Sequence, residues 1–428
     1  MVRGLIGRQK IPRRACMILV SAALTMSVIG CHDIDLRLII DDLSTVDPAY
    51  QWTYKPPPLN SDGMNASDRF GTSVDISHSG GYGIVGSIGE SGNQGAAYIY
   101  EIDDNALTQL ARIVSDVPAD WDWFGFSVAI SSDYAAVGAA WDDGGRGYVK
   151  LFERSDSTWS YHKTLGPGAL ADADARFGFS VAMSDTYLIV GAPQDGADDQ
   201  GSAFVFEQDS GGTGNWGIRD EINSFAPAAD EMFGYSVAIT DVNALVGTQG
   251  DYFAPAERAG ACYFFTRSGV TWDDVISFSS DVPAAGDFFG ASVAMTDVWA
   301  VVGCPGRNEA YVYKKSGAAW AEESVFLTPE GGGDDDFGCS VSVSDSFIVV
   351  GAEQASDSLQ PGFFSVYVLD VDTCSYLDTL SDETAPNDAD FGHSVAESNG
   401  DLICGAPFDD VPADKSGTVK HHYYKRIK

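Results

Sequence analysis

The groups in this 428-residue chain that could hold a metal or move a proton are 6 histidines, 62 carboxylates and 7 cysteines. The histidines, His32, His78, His162, His393, His421 and His422, fall at unrelated spacings, and none forms a zinc-ligand motif or adjoins a nucleophile signature. His421 and His422 are neighbours in a stretch that reads as a strand, so their side chains face opposite ways and cannot share an ion. Carboxylates gather in "WDDGG" (Asp142, Asp143), "PQDGADD" (Asp195, Asp198, Asp199) and "PFDDVPAD" (Asp409, Asp410, Asp414), and again in "ADADA", "GGGDDD" and "NDADF". Calcium takes six to eight oxygens, and these runs lack the alternating spacing and distal bidentate acid of an EF-hand-type loop. They read as a solvated acidic surface: no metal or cofactor is expected, with calcium on the six named residues of the second and third runs as the alternative. No acid, base and nucleophile converge in one motif, and the glycine-rich "GESGNQG" and "GGTGNWG" precede no helix that could receive a phosphate. The chain is expected not to be an enzyme.

The elements carrying these groups follow from a repeat. Phe-Gly recurs at Phe70-Gly71, Phe124-Gly125, Phe177-Gly178, Phe233-Gly234, Phe289-Gly290, Phe337-Gly338 and Phe391-Gly392, spaced 54, 53, 56, 56, 48 and 54 residues apart. Each pair is followed by a variable residue and then Ser-Val. A second glycine stands fourteen residues after the Phe in six copies, at Gly138, Gly191, Gly247, Gly303, Gly351 and Gly405, and sixteen after it in the first, at Gly86. Period-two alternation and Gly/Asp turns make each copy four short antiparallel strands, one propeller blade, which buries its faces only against other blades. After Phe391 only three strands remain. Before Phe70, Trp52 stands 18 residues ahead, as Trp159 stands 18 ahead of Phe177. The N-terminal strand is therefore expected to complete the last blade, giving an all-β, seven-bladed propeller over residues 51–428 with no open edge. The recurring Phe, Tyr and Trp are expected to pack between blades.

"FG.SVA" followed by "VGAP" resembles the FG-GAP repeat of the integrin α-chain propeller, and more closely its relatives in bacterial extracellular proteins. The Gly-Ala-Pro is complete only at Gly191-Ala192-Pro193 and Gly405-Ala406-Pro407. The resemblance implies calcium loops of Asp-x-Asp-x-Asp-Gly type between the first two strands of a blade. Here that connection is a tight turn with one carboxylate at most, so the family's metal residues do not carry over. Asp185, Asp241, Asp297 and Asp345 read as turn formers whose side chains cap their own backbone.

Composition excludes one class of partner and favours another. With 25 basic against 62 acidic residues the chain repels phosphate backbones, so no nucleic-acid partner is expected. "MVRGLIGRQKIPRR" followed by "ACMILVSAALTMSVIG" reads as an export signal over residues 1–30. "VIGC" resembles the bacterial lipobox, which implies a diacylglyceryl group on Cys31, a tether over residues 31–50, and membrane contact through the lipid alone. His32 directly after Cys31 points to the outer membrane or cell surface, with a secreted protein as the alternative. Cys262, Cys304, Cys339, Cys374 and Cys404 cannot all pair and read as buried free thiols. The resulting expectation is a monomeric binding or adhesion module of the bacterial envelope, taking a protein or glycan on its rim loops. Thr248 to Gly260 and Glu353 to Pro361 are the longest of those loops. A scaffold subunit of an envelope assembly is the alternative; an envelope hydrolase and a calcium-dependent adhesin rank below it.

Overall fold

The computed structural model describes residues 50–59, 65, 67–103, 107–168, 170–196, 198–225, 227–250, 259–317, 319–327, 335–353, 362–370, 373–381, 389–409 and 416–426. All lie in the unit Tyr50–Lys428. The leader, Cys31 and the tether up to residue 49 lie outside the described residues, as do most of the two long loops.

Seven four-stranded antiparallel sheets surround one axis. Blade 1 runs outward through Phe70–Ile76, Tyr82–Ser87, Ala96–Ile102 and Leu107–Ile113, and five more blades repeat that order. Blade 7 takes Ser394–Ser398, Asp401–Ala406 and Thr418–Arg426 from the end of the chain and its outermost strand, Tyr50–Leu59, from the beginning. Trp52 pairs with Tyr424 in that register. The ring is closed by the N-terminal strand.

The repeated phrase is the joint between blades. Each motif Phe is buried, at most 1% exposed. The Gly after it adopts φ between 88° and 99°, a left-handed conformation that a side chain disfavours. The motif Ser then donates its hydroxyl to the carbonyl of the next blade's Phe-Gly glycine, at 2.7–2.8 Å in all seven joints. Ser394 completes the circle by donating to Gly71. The second glycine gives that carbonyl its room: a Cβ at Gly86, Gly138, Gly191, Gly247, Gly303, Gly351 or Gly405 would lie 1.9–2.2 Å from it. Phe, both glycines and Ser thus recur because each touches the neighbouring blade.

Apolar burial is divided the same way. Among the described residues seven hydrophobic clusters form, each drawing on two consecutive blades. The Trp of one blade's outer strand lies edge-on to an aromatic of the blade before it: Trp159 on Tyr82, Trp216 on Tyr134, Trp272 on Tyr187 and Trp52 on Phe347, with centroids 5.3–5.8 Å apart. Side chains of this size contribute about 1.5–3 kcal/mol each by leaving water, so the interfaces, rather than the blades themselves, hold most of the core. In blades 1 to 6 the two outermost strands carry a bulge, as between Ile99 and Tyr100 or Val205 and Phe206, which adds twist at the perimeter.

Two expectations about local chemistry meet the structure here. The first-to-second-strand turns are capped by the hydroxyl ahead of the Asp: Ser184, Thr240, Thr296 and Ser344 each accept the amides two and three residues on. Asp241 instead accepts from Ser184 of the preceding blade, and Asp297 from Asn243. The hydroxyl wins because it stands at the first turn position, within reach of both amides. The five cysteines from Cys262 to Cys404 are free thiols, all buried except the half-buried Cys339.

Candidate functional site: the axial mouth

The inner strands of the seven blades stand side by side around the axis and enclose a channel of about 650 Å³. Its wall is the Val, small residue and aliphatic that follow each motif Ser, interrupted by two acids. Asp75 of blade 1 accepts the Ile130 amide of blade 2 at 2.8 Å, and burial pushes its carboxyl up to about 7 against the pull of that hydrogen bond. Glu397 of blade 7 is 5% exposed and accepts the Gly400 amide at 2.8 Å. Burial raises it as well to about 7, with Ser344 and Gly400 opposing the rise and Asp401 adding to it. Asp185, Asp241, Asp297 and Asp345 line the channel's opening at the first-to-second-strand turns.

The opposite end of the inner strands, the mouth of the ring beyond the channel's lining, is built by the two residues that flank Phe-Gly. The residue before the Phe is left-handed in every blade, φ 50–57° at Arg69, Trp123, Arg176, Met232, Phe288, Asp336 and Asp390. Its carbonyl accepts the amide of the variable residue after the Gly, at 2.9–3.3 Å. Such backbone in large residues persists only where the surroundings dictate it. Here the buried Phe between the two holds the turn in place, and each blade offers its two flanking side chains to the mouth.

Their chemistry differs around the ring. On blades 2 to 4 they form a continuous aromatic arc: Trp123 meets Trp141 at 4.6 Å, Phe126 meets Trp141 at 4.6 Å and Phe179 at 5.0 Å, and Phe179 meets Tyr235 at 4.9 Å. All five rings are half-buried. The Arg176 guanidinium lies 5.0 Å over Trp141, and Arg69 stands likewise over Phe408 at 5.3 Å. On blades 6 and 7 the mouth is polar. His393 shares a hydrogen bond of 2.5 Å between its Nδ1 and Glu353 Oε2, and Asp390 lies alongside. Burial works against charge on His393, yet the Glu353 carboxylate holds its pKa above the ordinary value; the same contact holds Glu353 below the carboxylate range despite its burial. Tyr235, raised chiefly by burial, also feels the Glu353 charge from across the mouth.

The acids singled out from the sequence have other positions. Asp195 accepts the Asp172 amide at 2.8 Å and Asp409 accepts the Thr418 hydroxyl at 2.7 Å, both buried and both bracing the loop between the second and third strands. Asp198, exposed, and Asp199, half-buried, sit in left-handed backbone of the same loop in blade 3. Asp410 and Asp414 lie outside the described residues. Asp142 is raised to about 6, first by burial and then by Asp122 beside it. His421 binds Asp401 at 2.7 Å while His422 packs on Phe364 and Tyr54, so the two imidazoles do face opposite ways. The Glu353–Asp390–His393 group escaped the sequence reading because Glu353 comes from a different blade; its only signal was the His in the variable slot of "FGHSV".

A closed ring whose strands carry the scaffold and whose mouth carries the variation defines a β-propeller of the binding-module class. The FG-GAP repeat family model matches residues 59–100, 107–150, 171–206 and 320–369. The chain is a seven-bladed propeller in which these four segments match the FG-GAP repeat, and propellers of that repeat are typically non-catalytic modules. Comparison with curated proteins finds no match. Among the described residues no helix is long and apolar enough to cross a membrane.

Proposed function

We propose that the chain is a non-catalytic binding module displayed at the envelope of a bacterium, taking a protein or glycan ligand across the axial mouth and the loops beside it. One observation carries the reading. The same backbone turn, repeated seven times, presents side chains whose chemistry changes around the ring, running from Trp-Phe through Met-Tyr to Asp-His. Rigid frames with variable exposed positions are where recognition concentrates. The aromatic arc offers stacking faces for a sugar ring or an apolar side chain. The envelope location is supported by the basic then apolar leader and by "VIGC" at Val28 to Cys31.

The test has two arms. Phe179→Ala and Trp141→Ala should abolish binding to whichever members of an array of envelope glycans and peptidoglycan fragments retain the wild-type chain, without lowering the melting temperature by more than a few degrees. Retention that survives both substitutions refutes the mouth as the recognition surface. Cys31→Ser should move the chain from the detergent phase to the aqueous phase, and unchanged partitioning refutes the lipid anchor.

A second reading, a scaffold subunit with a fixed neighbour, has its own support. Val117, Leu170, Phe225 and Val282 occupy four consecutive connections between blades, seven or eight residues ahead of the next Phe, and each is more than half exposed. A row of apolar residues on one face of the ring suits a permanent contact.

A further inference from the structure

We propose that the axial mouth holds one divalent transition-metal ion, of the zinc type, on Glu353, Asp390 and His393. Their ligand atoms all lie within 4.8 Å of one another. An ion with bonds of about 2.0–2.2 Å to carboxylate oxygen and imidazole nitrogen brings tetrahedral ligand atoms to roughly 3.4 Å apart, so side-chain rotation alone closes the set. Two carboxylates and a neutral imidazole also cancel a double positive charge. The proton that His393 and Glu353 share is released to solvent when the ion takes its place.

The second support is the frame. Asp390 and His393 are the two ends of the tight turn in blade 7, joined by the His393 amide to the Asp390 carbonyl at 3.0 Å, with the buried Phe391 between them. Glu353 follows the buried Ala352 and its amide donates to Cys339 Sγ at 3.4 Å. Asp390 and His393 are therefore placed by the turn that the repeat holds in every blade, and Glu353 by a contact particular to blade 6. Among the other blades only blade 6, with Asp336 and Cys339, carries two groups able to ligate on its turn; the remaining pairs are Arg-Thr, Trp-Phe, Arg-Phe, Met-Tyr and Phe-Ala.

The donor set selects the metal. An imidazole and only three protein ligands suit zinc, cobalt or nickel and not calcium, which needs six or more oxygens. Three protein ligands leave a fourth position for water or for an oxygen of whatever the mouth binds. The inference does not depend on the envelope reading, because it is measured on the purified chain with the metal alone.

The experiment uses the full chain without a histidine tag, stripped with chelator and then titrated calorimetrically with zinc chloride and with calcium chloride. One zinc should bind at micromolar or tighter dissociation constant. His393→Gln and Glu353→Gln should each weaken that site at least tenfold while melting within a few degrees of wild type. Cobalt should give visible absorption bands in the wild type that both variants lose. Zinc binding that is absent, that persists unchanged in both variants, or that calcium displaces at equal concentration overturns the proposal. The last two outcomes mark diffuse association with surface carboxylates. Loss of zinc with retained glycan binding, or the reverse, separates this site from the recognition reading.

Discussion

Replacing Gly247 by Ala tests the joint between blades 4 and 5 directly. The new Cβ would lie 2.1 Å from the Gly290 carbonyl oxygen and 2.3 Å from Ser236 Oγ. The hydroxyl can rotate away, but the carbonyl cannot. Gly290 is held within blade 5 by its own amide to Gly303 at 2.9 Å. The blades must part instead, so the cost should reach about 3 kcal/mol or more, the upper range for overpacking a close-packed interior. Ser236→Ala removes one hydrogen bond and adds no atom, for about 1–1.5 kcal/mol. At this chain length each kcal/mol moves the melting temperature by only roughly 1 °C, so urea unfolding monitored by tryptophan fluorescence is the better assay. Gly166→Ala, with nothing within 4 Å of its added Cβ, serves as the neutral control. The reasoning fails if Gly247→Ala costs no more than Ser236→Ala. It fails equally if removing the Ser236 hydroxyl restores Gly247→Ala to wild-type stability, since the carbonyl would then not be the obstacle.

Trp52→Ala should cost about 3–5 kcal/mol and open residues 50–59 to protease first, because Trp52 is 6% exposed between Phe347 and Tyr424; an unchanged cleavage order would mean that closure does not depend on it. Asp75 and Glu397 titrate near 7 in the fold against 3.8 and 4.5 ordinarily, so the native state holds the extra protons and their contribution, complete below pH 4, fades as the pH rises to 7. The ceiling is about 4 kcal/mol for Asp75 and about 3 kcal/mol for Glu397. Asp75→Asn with Glu397→Gln should therefore gain on wild type in urea midpoint at pH 8 and match it at pH 4, and a gap that does not change with pH would refute the assignment. Cys262, Cys304 and Cys404, whose thiols burial pushes far up, should resist alkylation at neutral pH until guanidinium is added, as peptide mapping would show; rapid labelling of the native chain would contradict their burial.

The architecture was legible because the residues that join blades are the ones that repeat. Phe, Gly and Ser at fixed offsets announce a contact that each blade must make identically, and Trp52 standing 18 residues ahead of Phe70 disclosed which strand closes the ring. The mouth was hidden for the complementary reason. Its side chains fill slots defined by the motif but free of it, so alignment on Phe-Gly marks them as noise, and the left-handed backbone at Trp123 or Phe288 has no residue preference to betray it. Glu353 and His393 are forty residues apart in the chain and meet only because blade 6 abuts blade 7. The turn caps were misread for a smaller reason: Ser-Asp and Thr-Asp both place two competent groups in one turn, and position within it decides between them.

The hydrogen bond from Ser394 to Gly71 spans 323 residues, and the one from Ser398 to the His78 carbonyl spans 320. Such a hoop cannot be latched while its last strand is still being made. Six blades can stack in order of synthesis, but an incomplete seventh leaves two raw flanks, each with the apolar surface that elsewhere faces a neighbour. Folding should then be slow and gated by this one distant encounter, and unfolding should begin by undoing it. A chain that has once latched would outlast what its equilibrium stability alone allows.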